Sequence, residues 1–167
     1  PVLTENLGYY IDKYNTWSSY APEDKGVLVA YASIYGGTKK AAELLGEKLK
    51  AAGVEKVVVS DLARSDMAEV IEDAFRYDRM VVAAPTYDAG LFPVMEDFLN
   101  HLKAKNYSNR KVGVVENGTW APMAAKKMTE ILATLKNVTL AETVVTVKST
   151  LSAESEAAMD KLVQELV

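Results

Sequence analysis

The chain has 167 residues, of which 49% are hydrophobic and 25% charged, a composition typical of a globular domain with a sizeable core. Its net charge of −4 and its lack of a long Lys/Arg block argue against nucleic-acid binding, which needs a clustered basic surface. It contains no cysteine, so disulfides, thiolate metal sites and cysteine nucleophiles are excluded.

Residues 1–25, PVLTENLGYYIDKYNTWSSYAPEDK, predict an amphipathic helix followed by a polar linker. One face of this helix carries the apolar side chains Leu3, Leu7, Tyr10, Ile11, Tyr14 and Trp17. We expect it to pack on its own domain or to form a joint to an upstream one.

Pro1 in place of methionine indicates a processed chain or a piece of a longer one. With neither a signal pattern nor an apolar run of ~20 residues, we expect a soluble, cytoplasmic protein without membrane contact.

Beyond residue 25, apolar β-branched runs alternate with stretches of helical periodicity. The predicted strands cover residues 27–32, 56–62, 80–84, 111–116 and 142–147. The predicted helices cover residues 38–52, 66–75, 93–105, 122–135 and 153–166. Continuous apolar strands are typical of a parallel sheet with helices on both faces. We therefore predict one α/β domain over residues 26–167, a doubly wound, five-stranded parallel sheet in the flavodoxin-like order 2-1-3-4-5.

Local signals mark the ends of these helices. Thr38 is predicted to cap the first helix of the domain, and Gly53 to end it in the left-handed conformation. Asp66, with a glutamate three residues later, predicts a capping box. Pro93 and Pro122 fit the first turn of a helix, where a missing N–H group costs nothing.

The loop after the first strand, SIYGGT, has the features of a phosphate-binding turn. The start of a helix offers free N–H groups and a favourable dipole to an anion. Ser33 and Thr38 add hydroxyl donors, and Gly36 and Gly37 let the backbone approach the anion closely. The turn lacks the lysine of a P-loop and the GxGxxG spacing, which favours a single terminal phosphate. By itself it also fits a tight strand–helix connection.

Two aromatic-bearing loops follow the third and fourth predicted strands, APTYDAGLFP and ENGTWAP. In a doubly wound sheet both meet the SIYGGT loop at the carboxyl edge. A flat isoalloxazine ring needs aromatic faces for stacking and backbone groups for its polar edge. Tyr87 and Trp120 would supply the faces. Trp120 is the stronger candidate, because the loop of Tyr87 contains other packing residues, although by itself Trp120 also fits a hydrophobic plug under its loop.

These motifs resemble the C-terminal flavodoxin-like domain of A-type flavoproteins, also called flavo-diiron proteins, over essentially the whole chain. The first loop of that family usually reads S-M-Y-G-N-T, the third-strand loop usually has Asn where Asp88 stands, and NGTWAP falls where a Gly-Trp pair is frequent. The resemblance implies non-covalently bound FMN. The residues it assigns to FMN are Ser33, Ile34, Tyr35, Gly36, Gly37, Thr38, Pro85, Thr86, Tyr87, Asp88, Ala89, Gly90, Asn117, Gly118, Thr119, Trp120 and Ala121.

Three residues depart from the family pattern. Gly37 replaces an asparagine whose side chain could donate a hydrogen bond, and Thr119 stands where glycine is common. Glu116 stands where a small residue is common. If its carboxylate points toward the flavin, it would disfavour a negatively charged form of the ring.

The resemblance implies an electron-transfer domain, the flavin half of a flavo-diiron oxygen or nitric oxide reductase. Its electrons would come from a rubredoxin-like protein or a reductase and pass to a diiron site on an absent metallo-β-lactamase-like domain. We expect no catalytic acid, base or nucleophile and no metal ligand in this chain, and His101 is expected at the surface. Head-to-tail homodimers occur in the family, and our hypothesis is that residues 3–17 contribute to one.

Two alternatives stay open. A stand-alone flavodoxin or an NAD(P)H-dependent flavin reductase would share the fold, but the N-terminal helix disfavours the first and no nicotinamide site is identified for the second. A ligand-free flavodoxin-fold scaffold is also consistent with the sequence, since Gly37 and Glu116 are changes that weaken a flavin site.

Overall fold

The computed structural model describes residues 2–167, so that Pro1 lies outside the described residues. Within this range the helices are α1 (Leu7–Ser18), α2 (Gly37–Ala51), α3 (Met67–Arg76), α4 (Pro93–Ala104), α5 (Ala124–Leu132) and α6 (Ala153–Leu166). The strands are β1 (Asp24–Tyr31), β2 (Val57–Asp61), β3 (Tyr77–Tyr87), β4 (Gly90–Leu91), β5 (Arg110–Asn117) and β6 (Val138–Val147). Over residues 2–167, none of these helices is both long and apolar enough to cross a membrane.

The five long strands form one sheet in the order β2-β1-β3-β5-β6, and every neighbouring pair in it is parallel. This confirms the predicted flavodoxin-like fold and its strand order. Strand β4 is the one addition to the predicted strands within residues 2–167, and it pairs antiparallel with the end of β3. The chain runs outward from β1 to β2 and then returns to β3 on the other side of β1. This reversal of strand order opens a crevice at the carboxyl ends of β1 and β3.

Both faces of the sheet are buried, which explains the continuous apolar runs. Leu28 and Met80 point to the face covered by α3, α4 and α5. Val29 and Val81, one residue further along the same strands, point to the face covered by α2 and α6. Because successive side chains of a strand alternate between faces, a strand with two covered faces has no polar positions in its centre.

Three of the predicted helix ends are confirmed. The Asp66 side chain accepts a hydrogen bond from the N–H of Ala68 at 2.7 Å, which caps α3. The predicted capping box needs a bond from the N–H of Glu69 instead, and it is not found among the described residues. Gly53 follows α2 with a φ of +95°, in the left-handed region. Pro93 is the first residue of α4.

The predictions for Thr38 and Pro122 are wrong. Helix α2 begins one residue earlier, at Gly37, and its N-cap is Gly36 with a φ of +88°. Thr38 therefore lies inside the first turn, where its side chain is buried. Helix α5 begins at Ala124, two residues after Pro122.

Helix α1 lies outside the layers that cover the sheet, and none of its residues is buried. Its attachment to the domain is polar, because Glu23 accepts hydrogen bonds from Lys13 Nζ and, at 2.6 Å, from Trp17 Nε1. The hydrogen bond from Lys13 is the main cause that lowers the pKa of Glu23. The predicted division of the chain at residue 25 stays a prediction.

Arg110, at the start of β5, fixes the edge of the sheet where the strands begin. Its guanidinium is buried and donates hydrogen bonds of 2.6 to 3.3 Å to backbone carbonyls on three segments of the chain. These carbonyls belong to Tyr20, Phe75, Tyr77, Ser108 and Asn109. Burial lowers the pKa of Arg110, but an arginine keeps its proton at neutral pH.

We predict that Arg110→Lys lowers the free energy of unfolding by about 2–4 kcal/mol, because a lysine amine cannot reach the carbonyls that the guanidinium fork satisfies. Urea unfolding followed by circular dichroism measures this change. The matched control is Arg64→Lys, since the Arg64 side chain is 85% exposed. It should change the free energy by less than about 0.5 kcal/mol. Equal effects of the two substitutions would contradict the stabilising role of Arg110.

Candidate functional site

The three loops predicted to bind a ligand meet at the carboxyl edge of the sheet and line one cleft of about 260 Å³. The residues that line it are Ser33, Ile34, Tyr35, Gly37, Thr38, Pro85, Thr86, Asn117, Gly118, Thr119 and Ser149. A second cavity of about 330 Å³ adjoins the cleft at Tyr35, Gly37 and Ser149 and includes Gly36 and Lys40.

The N-terminus of α2 opens toward this cleft with free donors. Among the described residues no side chain caps α2, so the N–H groups of residues 37–39 lack a capping acceptor. The N–H of Gly36 donates to Ser33 Oγ at 3.1 Å, which leaves the Ser33 hydroxyl proton free to donate. The positive end of the helix dipole, the free N–H groups and this hydroxyl suit an anion such as a phosphate.

Gly37 is in close contact with the loop after β6. A Cβ atom at Gly37 would lie 2.1 Å from the carbonyl oxygen of Ser149 and 2.9 Å from Asn117 Nδ2, so no larger residue fits without moving the backbone. Asn117 holds the loop in place. Its Oδ1 accepts from the Ser149 N–H at 2.9 Å, and its Nδ2 donates to the Ser149 carbonyl at 3.3 Å.

Sequence reasoning missed Ser149. Its contacts with Asn117 are made by its backbone, so no motif marks them. A topological signal did exist, because β6 runs parallel to β5 and pairs Val147 with Asn117. The loop after the last strand therefore had to reach the same edge as the other three loops.

Thr86 lines the cleft and also caps helix α5. Its Oγ1 accepts hydrogen bonds from the N–H groups of Met123 at 2.8 Å and Ala124 at 3.1 Å. This contact joins the end of β3 to the loop that follows β5, and it fixes one wall of the cleft.

Glu116 turns away from the cleft and stabilises the same helix. Its Oε2 accepts from the N–H of Ala125 at 2.9 Å, and its Oε1 accepts from Thr146 Oγ1 at 2.9 Å. The side chain is buried and is not among the residues that line the cleft. Its expected effect on the flavin required the carboxylate to point toward the ring, and this condition is not met.

Residues 87–90 form a tight hairpin that extends beyond the cleft. Tyr87 pairs with Gly90, and both Asp88 (φ +48°) and Ala89 (φ +55°) adopt the left-handed conformation of a type I′ turn. This conformation costs roughly 1–2 kcal/mol for an alanine. The half-exposed Tyr87 ring packs edge-on against Phe92 with 5.6 Å between the ring centroids.

Trp120 is 89% exposed and Tyr35 is 98% exposed, so both rings lie at the rim of the site rather than inside it. The interpretation of Trp120 as a hydrophobic plug is therefore wrong.

Of the predicted cofactor residues, Gly36 lies at the adjoining cavity only. Six others line neither cavity, namely Tyr87, Asp88, Ala89, Gly90, Trp120 and Ala121.

A larger cavity of about 530 Å³ lies at the opposite edge of the sheet and includes Lys103, Tyr107, Thr134 and Lys136. Helices α4 and α5 both end beside it. The negative ends of their dipoles face this cavity and disfavour an anion there. The cleft at the N-terminus of α2 is therefore the better candidate for a phosphate ligand.

Comparison with known proteins shows a match to the flavodoxin family over residues 29–161. An uncharacterized protein of Methanocaldococcus jannaschii is 31% identical over 121 residues, which cover 72% of this chain and 30% of that protein. The chain spans about a third of the length of the curated relatives it matches.

Two solved structures illustrate the likeness in fold. Rubredoxin oxygen:oxidoreductase from Desulfovibrio gigas superposes with a TM-score of 0.88 at 19% identity, over 95% of this chain and 39% of that one. A flavodoxin from the domain Archaea superposes with a TM-score of 0.72 at 19% identity, over 84% of this chain and 95% of that one. The longer structure therefore matches more of this chain than the stand-alone flavodoxin does.

We predict that Thr86→Val lowers the free energy of unfolding by about 1–2 kcal/mol, because it removes the oxygen that caps the first turn of α5. Thr86→Ser keeps this oxygen and should recover most of the loss. Thr139→Val, at an exposed position of β6, is the control and should stay within about 0.5 kcal/mol. Urea unfolding of the three variants measures the difference, and equal losses in Thr86→Val and Thr139→Val would contradict the capping role.

Proposed function

This chain belongs to the flavodoxin family, and we propose that it is an FMN-binding electron-transfer domain, the flavin half of a flavo-diiron protein. FMN is the cofactor of the family. The observation that carries the proposal is the open N-terminus of α2 at the cleft, where no side chain among the described residues caps the helix and the N–H groups of residues 37–39 remain free to bind a phosphate.

The phosphate would bind at the SIYGGT loop. The N–H groups at the start of α2 and the hydroxyl of Ser33 supply hydrogen-bond donors to it. Lys40, which borders the adjoining cavity, adds positive charge at the same helix end. These groups would balance the charge of the phosphate in a chain whose net charge is −4.

The flavin ring would lie between the loops after β3 and β5. The backbone of residues 85–90 and 117–121 would contact its polar edge, and the exposed rings of Tyr87 and Trp120 would cover its faces. Burying aromatic side chains against a flat ring is favourable, since each removes a large apolar area from water.

FMN held in this way supplies the transfer of one or two electrons. The chain's own residues would bind and orient the cofactor. The rings of Tyr87 and Trp120 would exclude water from the faces of the flavin. In this proposal none of them serves as a catalytic acid, base or nucleophile.

The extent of the structural likeness favours a flavo-diiron parent over a stand-alone flavodoxin. A match confined to residues 26–167, or 142 of the 167 residues, would cover about 85% of the chain, and the archaeal flavodoxin covers 84%. The likeness to rubredoxin oxygen:oxidoreductase covers 95%, so it extends into the N-terminal segment. We therefore assign α1 to the joint with a separate diiron module. That module would reduce oxygen or nitric oxide with electrons from a rubredoxin-like protein or a reductase.

We predict that adding FMN to the purified chain quenches tryptophan fluorescence in a saturable way and gives a bound-flavin absorption spectrum. The two tryptophans provide a matched pair, because Trp17 hydrogen-bonds to Glu23 on α1 and Trp120 lies at the rim of the site. Trp120→Phe should abolish most of the quenching, whereas Trp17→Phe should retain it. A colourless protein with unchanged fluorescence would support the ligand-free scaffold instead.

We predict that the FMN-loaded chain accepts electrons from a chemically reduced rubredoxin but does not oxidise NADH or NADPH. The described residues form a candidate flavin site at the carboxyl edge, and no separate nicotinamide site is identified among them. Stopped-flow absorbance of the flavin band measures the first reaction, and loss of absorbance at 340 nm measures the second. Steady oxidation of NAD(P)H would reverse the assignment in favour of a flavin reductase.

A further inference from the structure

Asn117 and the backbone of Ser149 form a clasp over the start of α2. The carboxamide of Asn117 uses its oxygen to accept from the Ser149 N–H at 2.9 Å and its nitrogen to donate to the Ser149 carbonyl at 3.3 Å. Ser149 itself adopts a left-handed conformation with a φ of +69°, which is uncommon for serine. The clasp therefore holds one residue of loop 148–151 in a specific orientation beside the cleft.

The clasp occupies the space that a side chain at position 37 would need. A Cβ atom at Gly37 would lie 2.1 Å from the Ser149 carbonyl oxygen, which belongs to the backbone and cannot rotate away. The same Cβ would lie 2.9 Å from Asn117 Nδ2. In an asparagine the amide nitrogen lies two bonds from Cβ, or roughly 2.4 Å. Asn117 thus brings an amide nitrogen into the space beside residue 37 that a side chain at that position would enter.

One proton of that amide nitrogen remains available. An asparagine NH₂ group has two donor protons, and the bond to the Ser149 carbonyl uses one of them. Asn117 lines the cleft together with Ser33 and Gly37, which belong to the loop at the start of α2. The second proton therefore belongs to a group that lines the same cleft as the start of α2, where the N–H groups of residues 37–39 are free.

We propose that Asn117 is the side-chain amide donor to the phosphate of FMN, and that its clasp with Ser149 compensates for the missing side chain of Gly37. This inference rests on the proposed function. According to this inference, the Asn117 side chain contacts the phosphate of FMN and not the flavin ring. The loop after β6 then has the role of holding Asn117 in place. Gly37 is then required by the clasp, because a larger residue would displace Ser149. Its missing side chain is not a defect of the phosphate-binding loop.

Riboflavin separates a phosphate donor from a purely structural residue, because it carries the flavin ring without the phosphate. A residue that contacts the phosphate affects the binding of FMN alone. A residue that only holds the loop in place affects FMN and riboflavin alike. The ratio of the two dissociation constants is therefore the quantity to measure, by fluorescence titration of each flavin.

Asn117→Asp is the decisive variant, since it keeps the shape and the acceptor for the Ser149 N–H but replaces the donor by a negative oxygen. We expect the Kd for FMN to rise at least tenfold more than the Kd for riboflavin. Asn106→Asp makes the same change in charge at an exposed position at the opposite edge of the sheet, and it should leave both constants within twofold. Circular dichroism checks that both variants are folded.

Gly37→Asn tests the clasp independently, because its Cβ would force Ser149 away. We expect it to weaken FMN binding at least threefold, although it adds an amide to the phosphate loop. Tighter FMN binding by Gly37→Asn, or an equal effect of Asn117→Asp on the two flavins, would overturn the inference. Failure of the unsubstituted chain to bind either flavin would overturn the proposed function, and the inference with it.

Discussion

Parallel pairing of the five long strands is the constraint on which the site depends. Because every neighbouring pair runs parallel, the carboxyl ends of β1, β3, β5 and β6 meet at one edge. Ser33 and Ser149 consequently line the same cleft, although they lie 116 positions apart in the sequence. The reversal of strand order beside β1 then keeps the start of α2 accessible instead of covering it with the next strand–helix connection.

The helices that start at or near this edge differ in how their first N–H groups are satisfied. Helix α5 is capped from within the domain by Thr86 and Glu116, and helix α6 by Ser152. Helix α4 begins with Pro93, which has no N–H group to satisfy. Among the described residues α2 receives no side-chain cap, because its N-cap is Gly36. The uncapped start of α2 thus places free backbone donors at the cleft, and Glu116 is kept away from that point by its role at α5.

Hydrophobic patterning predicted the fold because both faces of the sheet are covered, which leaves a clear apolar signal in each strand. The loops of the site were predicted from residue types that suit a phosphate and an aromatic ring. The sequence-based predictions for individual residues were wrong or incomplete where a contact is made by the backbone. Thr38 has the chemistry of a cap, but left-handed Gly36 starts the helix one residue earlier and buries Thr38. Ser149 acts through its N–H and carbonyl groups, so its side chain carries no information about its position.

Polar backbone groups are satisfied within the chain at one edge of the sheet and left free at the other, and this difference connects stability to ligand binding. At the amino edge, Arg110 satisfies carbonyls from three segments and closes the domain without a ligand. At the carboxyl edge, the N–H groups of residues 37–39 stay without a cap among the described residues. Unsatisfied donors reduce stability until a ligand accepts their hydrogen bonds, so a bound phosphate contributes free energy to the fold as well as to its own binding. At a ligand concentration of 100 Kd this linkage is worth about 2.7 kcal/mol, which is comparable to the contribution of one buried side chain. Ligand binding and the stability of the fold are therefore coupled at the start of α2, whereas Arg110 stabilises the opposite edge through contacts within the chain.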